Sequence, residues 1–375
     1  MSSIAIISIQ AYSLENFRGP LIRALADRDV CVYALAPDFS DDLRTQISQL
    51  GAIPVDISLS RTGMNPLKDA ADIYRLSRLL KRLAPDVVVN GYIKPVIYGS
   101  IAAWLAGVPK RFSLIEGLGY VFLDAPESRT WRRRLLRWAT TRLYKLALHL
   151  NHKVFFLNKD DASHFVGEGI VSSDKVVRID GTGLDLDHFT PAPPVFEPVT
   201  FILVARLLRE KGVYDFVEAA RQVRERNQKV RFLIIGYCDE NPSSVTEAEL
   251  HHWMAEGIIE WPGRVDDVRT WLAQSSVFVL PSYYSEGLPR SNQEAMAMGR
   301  PIITTDWVGC RETVQEGVNG FLVPVRDPAA IAQAMELFVE SPDLIVKMGH
   351  EGRRIAEERF DVNKINLRIM EIIGI

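Results

Sequence analysis

The sequence predicts an α/β protein made of two Rossmann-like, doubly wound parallel-sheet domains, and three observations predict it. Short apolar runs rich in Val, Ile and Phe alternate with longer amphipathic segments along the whole chain. Those runs are apolar on both faces, which suits strands covered on both sides in sheets built from βαβ units. The chain has 375 residues, more than one ordinary core holds, so two domains of roughly 180 residues are expected.

In the first half the strand-like runs are 4–9, 30–35, 54–57, 87–90, 111–115, 154–157 and 176–179. In the second they are 200–205, 230–236, 259–262, 277–281, 301–304 and 321–323. Helical patterns lie between them, for example 65–83, 213–226 and 289–298, and after Pro342 two more cover 343–360 and 362–372. From Thr190 to Pro198 there are four prolines in nine residues, which reads as an extended linker. The expected organisation is a first domain over 1–185, a linker over 186–199 and a second domain over 200–355. A helical segment over 356–375 can return to the first domain. Ligands of open α/β sheets bind outside the carboxyl ends of the strands, so the loops there are where function is sought. Two such sheets facing each other would make a cleft.

Composition narrows the class. With 47% hydrophobic and 24% charged residues and no low-complexity tract, the chain is globular rather than disordered. Three cysteines, Cys31, Cys238 and Cys310, are an odd number without metal-ligand spacing and fit a reducing compartment without disulfides. The first ten residues read as a buried strand and not as a signal peptide, and no run reaches the ~18 apolar residues of a membrane span. A cytoplasmic location is expected.

The charge is uneven. Eight of the 44 Lys and Arg fall between Arg129 and Lys153, a stretch without an acid, which suggests a local anionic partner. The stretch reads as helical. Trp131, Leu135, Trp138 and Arg142 follow 3–4 spacing, with Arg132, Arg133, Arg134 and Arg137 beside them. Arg and Trp on one amphipathic helix mark a helix lying on an anionic membrane surface, and the apolar run 119–123 before it can add contact. The alternative is a helix that packs its Trp and Leu face on the core and leaves its arginines in water. A single basic helix without a reader motif is thin support for nucleic acid, and no such partner is expected.

The strongest chemical signal runs from Pro281 to Pro301. A buried run ends at Pro281, a loop carries Glu286 and Gly287, and Pro289 suits the first position of a helix, where a missing N–H loses no bond. The free amides and positive dipole end of that helix would meet an anion such as a diphosphate. Glu286 lies on the loop and Glu294 about one and a half turns into the helix, where a carboxylate can accept hydrogen bonds from vicinal hydroxyls. Two acids flanking an anion site suit a nucleotide sugar, with its charged centre and hydroxylated rings; the plainer reading is a surface helix with ordinary acids. A second signal follows the run 200–205. Arg206, and Lys211 just before Gly212, can both reach a diphosphate, Arg as a bidentate fork and Lys as a compact charge. Solvated surface cations are the plainer reading. In the first domain Arg18, near a helix start, can meet a phosphate of either substrate or form a surface salt bridge.

Glu286 and Glu294 form an E-x7-E pattern, and with it the chain resembles the retaining glycosyltransferase family 4, whose members have the GT-B fold of two Rossmann-like domains facing across a cleft. The likeness covers almost the whole chain. It is carried by Glu286-Gly-Leu-Pro289, by Gly299-Arg-Pro-Ile-Ile303 and by Glu316-Gly-Val-Asn-Gly-Phe321. The resemblance implies that Glu286 contacts the donor sugar, Glu294 the ribose, and Arg206 with Lys211 the diphosphate. It places the backbone of Gly287 and Leu288 near sugar and phosphates, and the turn at Arg264 and Val265 against the base. Relatives carry a polar residue facing the reacting carbon near Glu116. Glu116 is therefore the candidate for contacting the acceptor hydroxyl or the developing positive charge, against a structural role capping its own turn.

Asp185-Leu-Asp187 looks like a metal-binding D-x-D, but it lies where the family has a Gly-(Val/Leu)-Asp tract. The charge of the departing diphosphate would be met by Arg206, Lys211 and the helix dipole, so no metal or other cofactor is expected. Further blocks are Phe17-Arg18 with Pro20, Glu116-Gly-Leu-Gly119, Lys211-Gly-Val213, Asp239-Glu-Asn-Pro242 and Gly309-Cys310. They make the chain similar to bacterial members that extend undecaprenyl-diphosphate-linked saccharides in surface polysaccharide or glycoprotein glycan assembly. That likeness implies a UDP-sugar donor, an N-acetylhexosamine such as GalNAc first, a lipid-linked acceptor, and work at the inner face of the cytoplasmic membrane. Two other readings stay open: a UDP-sugar epimerase of the same fold, and a non-catalytic sugar-nucleotide-binding subunit.

Overall fold

The structure, a computed structural model, describes residues 2–59, 65–117 and 131–375, and for Arg132 and Arg133 the backbone alone. The chain folds as two units, Met1–Gly183 with Val362–Ile375, and Leu184–Asp361.

The first unit holds β1 (Ser3–Ile7), β2 (Cys31–Ala36), β3 (Ala52–Asp56), β4 (Val87–Gly91), β5 (Lys110–Ile115), β6 (Lys153–Phe156) and β7 (Val176–Arg178). They form one sheet in the order β3-β2-β1-β4-β5-β6-β7, with every neighbouring pair parallel. Its helices are α1 (Ala11–Ala26), α2 (Asp41–Gln49), α3 (Pro66–Leu83), α4 (Ser100–Leu105), α5 (Trp131–His149) and α6 (Lys159–Gly167), and a π-helical turn, Pro95–Gly99, leads into α4. The start of α3 shows why the chain turns helical there. The Asn65 side chain accepts from the amides of Leu67 and Lys68, and Pro66 occupies the first helical position, where its ring costs no hydrogen bond. Right-handed crossovers put the helices that follow opposite directions of travel on opposite faces of the sheet. Accordingly α1 packs on α2, while α3 packs on α4 and α4 on α5.

The second unit holds β8 (Thr200–Val204), β9 (Arg231–Ile235), β10 (Glu260–Gly263), β11 (Val277–Leu280), β12 (Ile302–Thr305) and β13 (Gly320–Val323). Their order is β10-β9-β8-β11-β12-β13, again all parallel. Around the sheet lie α7 (Val213–Arg226), α8 (Glu247–Ala255), α9 (Arg269–Ala273), α10 (Arg290–Ala297), α11 (Pro328–Glu340) and α12 (Asp343–Arg359). In the core Phe201 stacks on Phe232 at 5.7 Å between ring centroids, and Phe216 meets Phe232 edge-on. The last helix, α13 (Val362–Ile373), belongs to the first unit and packs on α1. There the Arg28 guanidinium reaches the Met370 sulfur and Lys110 donates to the Ile373 carbonyl at 3.2 Å.

Several expected boundaries move. The first unit ends at Gly183 rather than 185, and the second runs to Asp361 rather than 355, because α12 is continuous through Arg359. The proline-rich stretch is not a free linker over 186–199; it is part of the second unit. Arg300, fully buried, donates to the carbonyls of Leu272 and Pro193, and the Ala192 amide donates to the Met298 carbonyl. A buried guanidinium needs carbonyl partners, and the proline-rich backbone, poor in N–H groups, supplies one. Pro289 precedes α10 as its N-cap, so the helix begins one residue later, at Arg290.

Candidate active site

In each sheet the strand order reverses once, between β1 and β4 in the first unit and between β8 and β11 in the second. The crevice beyond the carboxyl ends of the strands at such a reversal is where doubly wound sheets take ligands. Arg206 and Lys211 follow β8, and Glu286 follows β11.

The two loops of the second unit are knitted together by backbone. The amides of Tyr283 and Tyr284 donate to the Glu210 carbonyl at 2.8 and 3.0 Å. Gly212, with φ +75, lies so close to Pro281 that a Cβ there would overlap the Pro281 carbonyl, and only glycine takes that conformation without a side-chain penalty. This closure sets Lys211 against Glu286 as an ion pair with both side chains mostly buried. The Ser282 hydroxyl donates to the same carboxylate oxygen at 3.0 Å, and the Lys211 ammonium lies 5.3 Å from the centre of the Tyr284 ring. Four residues after Glu286, α10 opens with no side-chain cap, and a helix N-terminus is where anions are met. Gly287 and Leu288, between acid and helix, are buried.

The remaining predicted donor residues have partners of their own. Glu294 is mostly buried and pairs with Arg290 at 3.0 Å, one turn earlier on α10. Burial pushes its carboxyl above the usual range against the opposing pull of Arg290. Arg206 lies 3.6 Å from Asp239, after β9, and is the more exposed of that pair. Arg264, after β10, covers the Tyr237 ring at 5.6 Å, and Val265 beside it is half-buried. The Cys310 thiol is pushed up to about 12, by burial first and the Glu286 charge second, so it stays protonated and inert.

At the first unit's reversal Arg18 and Glu116 meet as an ion pair, both mostly buried. Arg18 is not at a helix start as expected; it lies two turns into α1 and reaches the end of β5 through its long side chain. Gly91 closes β4 beneath the pair, and a Cβ there would sit 3.5 Å from the Glu116 carboxylate. Tyr92 next to it has φ +67, a left-handed conformation that L-residues rarely hold outside constrained sites. The salt bridge weighed for Arg18 is made, but buried rather than at the surface. The rest of the Glu116 turn from Leu118 on lies outside the described residues.

Helix α5 turns Thr140, Tyr144, Ala147 and Leu148 inward. Trp131 and Trp138 are 69% and 59% exposed, and Leu135 is exposed with them, so the alternative that this face packs on the core is corrected. Arg134 is exposed and Arg137 half-buried. The side chains of Arg132 and Arg133, and the apolar run 119–123, lie outside the described residues. Asp185, first acid of the D-x-D lookalike, accepts from the amides of Asp187 and His188 at 3.0 Å each, a turn-capping job. Among the described residues no three His, Cys, Asp or Glu side chains gather to hold a metal, and no helix is long and apolar enough to cross a membrane.

Three participants escaped the residue-by-residue reading. Arg290 was detectable, since four residues separate it from Glu294 on one helix face. Ser282 follows the strand directly. Asp239 was visible only as part of a resemblance block, because what makes it matter is Arg206, which precedes it by 33 positions.

Comparison with known proteins follows the same division. Residues 198–341 match the family described as glycosyl transferases group 1, and residues 11–149 match glycosyl transferase 4-like. The chain is 28% identical over 383 aligned positions to the N,N'-diacetylbacillosaminyl-diphospho-undecaprenol α-1,3-N-acetylgalactosaminyltransferase of Campylobacter jejuni, covering 98% of this chain and 97% of that protein. It is 27% identical to the UDP-Gal:α-D-GlcNAc-diphosphoundecaprenol α-1,3-galactosyltransferase of Escherichia coli, over 72% of this chain and 70% of that one. Among solved structures, Anabaena HepE in complex with UDP superposes with a TM-score of 0.79 over the full length of both chains, at 18% identity.

Proposed function

The chain is a glycosyltransferase of the GT-B fold, composed of a 4-like and a group 1 domain, and we propose that it moves a sugar with retention from a UDP-linked donor to a saccharide on a polyprenyl diphosphate. The observation that carries this reading is the Lys211–Glu286 pair at the sheet reversal, beside the uncapped start of α10. Three features of a nucleotide sugar find a match there. Its diphosphate suits Lys211, Arg206 and the positive dipole end of α10, its sugar hydroxyls suit the Glu286 carboxylate, and its ribose suits Glu294. Lys211 would pass from Glu286 to the phosphates when the donor enters. It then opposes the charge that builds on the leaving diphosphate, the kind of electrostatic contribution that is usually the largest in such a reaction. The acceptor hydroxyl would attack from the face the diphosphate leaves, as retention requires, with Glu116 on the acceptor side of the reaction. No metal takes part in this scheme.

The relatives named above support the substrate class: one is named for transfer to a diphospho-undecaprenol-linked sugar and another for UDP-Gal as donor. Among UDP-sugars an N-acetylhexosamine, UDP-GalNAc first, is the expected donor, for bacterial surface polysaccharide or glycoprotein glycan assembly. The exposed Trp131 and Trp138 on a helix without acids would hold the enzyme on an anionic membrane surface, from the cytoplasmic side. The test is a panel of UDP- and GDP-sugars scored for protection against thermal unfolding, followed by turnover with short-chain lipid diphosphate saccharides with and without chelator. Protection by UDP-sugars and an α-linked product are expected. Protection by none, or loss of turnover in chelator, would overturn the scheme.

A further inference from the structure

Helix α5 was singled out for its arginines and tryptophans, yet the structure places two neighbours on the same face of the first sheet, with α3 packed on α4 and α4 on α5. The outward side of α3 has the same chemistry. Lys68, Arg75, Arg78, Lys81 and Arg82 are all exposed, while the only acids of the helix turn inward. Asp69 is mostly buried beside Lys94, and Asp72 is buried and accepts from the Ser58 hydroxyl at 2.7 Å. Among those cations Leu67 and Tyr74 stand 84% and 60% exposed. At 100° per residue, Leu67, Lys68, Tyr74, Arg78 and Lys81 fall within one outward arc. Between α3 and α5, the end of α4 shows Trp104 and Leu105, 52% and 55% exposed.

We propose that α3, α4 and α5 form one continuous docking face for an anionic phospholipid bilayer, with α3 as a second electrostatic footing that the α5 motif alone does not reveal. The inference extends the membrane reading of α5 and rests on it. A bilayer is the occupant that fits both halves of the observation: lipid headgroups meet cations on the outer helices, and the interfacial region takes Trp, Tyr and Leu that water would otherwise cover. Nucleic acid would match the cations and leave exposed leucines on each helix without a role. Two basic helices also hold better than one, because each Lys or Arg near an anionic surface adds its own increment and the increments sum.

The experiment is flotation of the full-length protein with vesicles of phosphatidylglycerol and phosphatidylcholine, and with phosphatidylcholine alone. Wild type is expected to float with the anionic vesicles only. Lys68→Gln, Arg78→Gln and Lys81→Gln together, with α5 intact, should weaken binding by about a hundredfold or somewhat more, and Trp104→Ala with Leu105→Ala should weaken it further. Both variants should keep wild-type turnover on a short-chain, water-soluble acceptor, which shows that they are folded. If the α3 triple variant floats like wild type while Trp131→Ala with Trp138→Ala does not, the extension to α3 is wrong and the α5 reading stands. If wild type itself fails to float, both fall. Retention on single-stranded DNA without flotation would assign the face to nucleic acid and overturn the proposal.

Discussion

The two sheet reversals present the same pair of charges and assemble it differently. In the second unit, Lys211 and Glu286 sit on loops that close on each other through backbone, with the Glu210 carbonyl taking two amides and Gly212 pressed on Pro281. In the first, Arg18 extends from inside α1 and Glu116 from the end of β5, and they meet through side chains across Gly91. The Lys211–Glu286 arrangement fixes its acid and base by main-chain geometry; the Arg18–Glu116 arrangement depends on each charge holding the other. One kind of site should therefore lose chemistry when a charge is removed, and the other should lose stability as well.

The sharpest break of the comparison is Lys211→Ala. With the loops still closed by backbone, turnover measured as kcat/KM should fall by about a thousandfold, the scale of losing one preorganised charge in a dry site, while the Ser282 hydroxyl still donates to the stranded Glu286 carboxylate and the loss in urea unfolding is smaller than at the other reversal. A stability loss as large as the activity loss would put the two reversals in one class. The counterpart is Arg18→Ala, which strands Glu116 in a mostly buried place and should cost about 3 kcal/mol in urea unfolding. Replacing both partners, Arg18→Met with Glu116→Leu, should recover most of that loss. If transfer returns with stability, Glu116 serves the fold; if transfer stays absent, it serves the acceptor.

Two glycines sharpen the same contrast. Gly212→Ala forces a side chain onto the Pro281 carbonyl at a positive φ, and about 2 kcal/mol of stability together with a raised KM for the donor is expected. Gly91→Ala adds a methyl at ordinary contact distance, 3.5 Å, from Glu116, and should change stability by less than about 0.5 kcal/mol.

A last contrast separates a paired from an unpaired buried acid. Glu294 has Arg290, whereas Asp161 on α6 is buried with one carboxylate oxygen held by the Asn158 amide and the other without a hydrogen bond. Burial pushes Asp161 up to about 7. Between an unfolded value near 4 and 7 the folded state then holds a proton that the unfolded state has released. The stability Asp161 contributes is therefore complete below about pH 4 and is lost as pH rises toward 7. Asp161→Asn should flatten this slope and gain about 1 kcal/mol or more at pH 8 relative to pH 5, checked by urea unfolding at both. An unchanged slope would mean that another group carries it.

What was legible in the sequence was local in the chain. Both parallel sheets, the Glu286 loop, α10 and the Lys211 turn were readable because strand, loop and helix start follow one another within a few residues, where apolar runs, Gly and Pro speak directly about backbone. The reading stopped at pairs made across the fold. Nothing adjacent to Arg18 announces Glu116, and Arg206 meets Asp239 because β8 and β9 are neighbours in the sheet. The outward face of α3 was hidden for a related reason. Its two acids interrupt the run of five cations in one dimension, and their inward turn, toward Lys94 and Ser58, leaves the surface to the cations, with Arg75 still reaching Asp72 at 3.5 Å.

Helix α13 carries a consequence for how the molecule comes into being. Val362–Ile375 belong to the same unit as residues 1–183 although the whole second unit lies between them in the chain, and they cover α1 with Ile365, Ile369 and Ile373. During synthesis the interior unit, Leu184–Asp361, has its whole sequence available before α13 is made, while the unit that holds α1 waits for that helix with the apolar flank of α1 uncovered. A chain that stops before α13 would thus keep an intact second sheet and emerge with a sticky, unfinished first one.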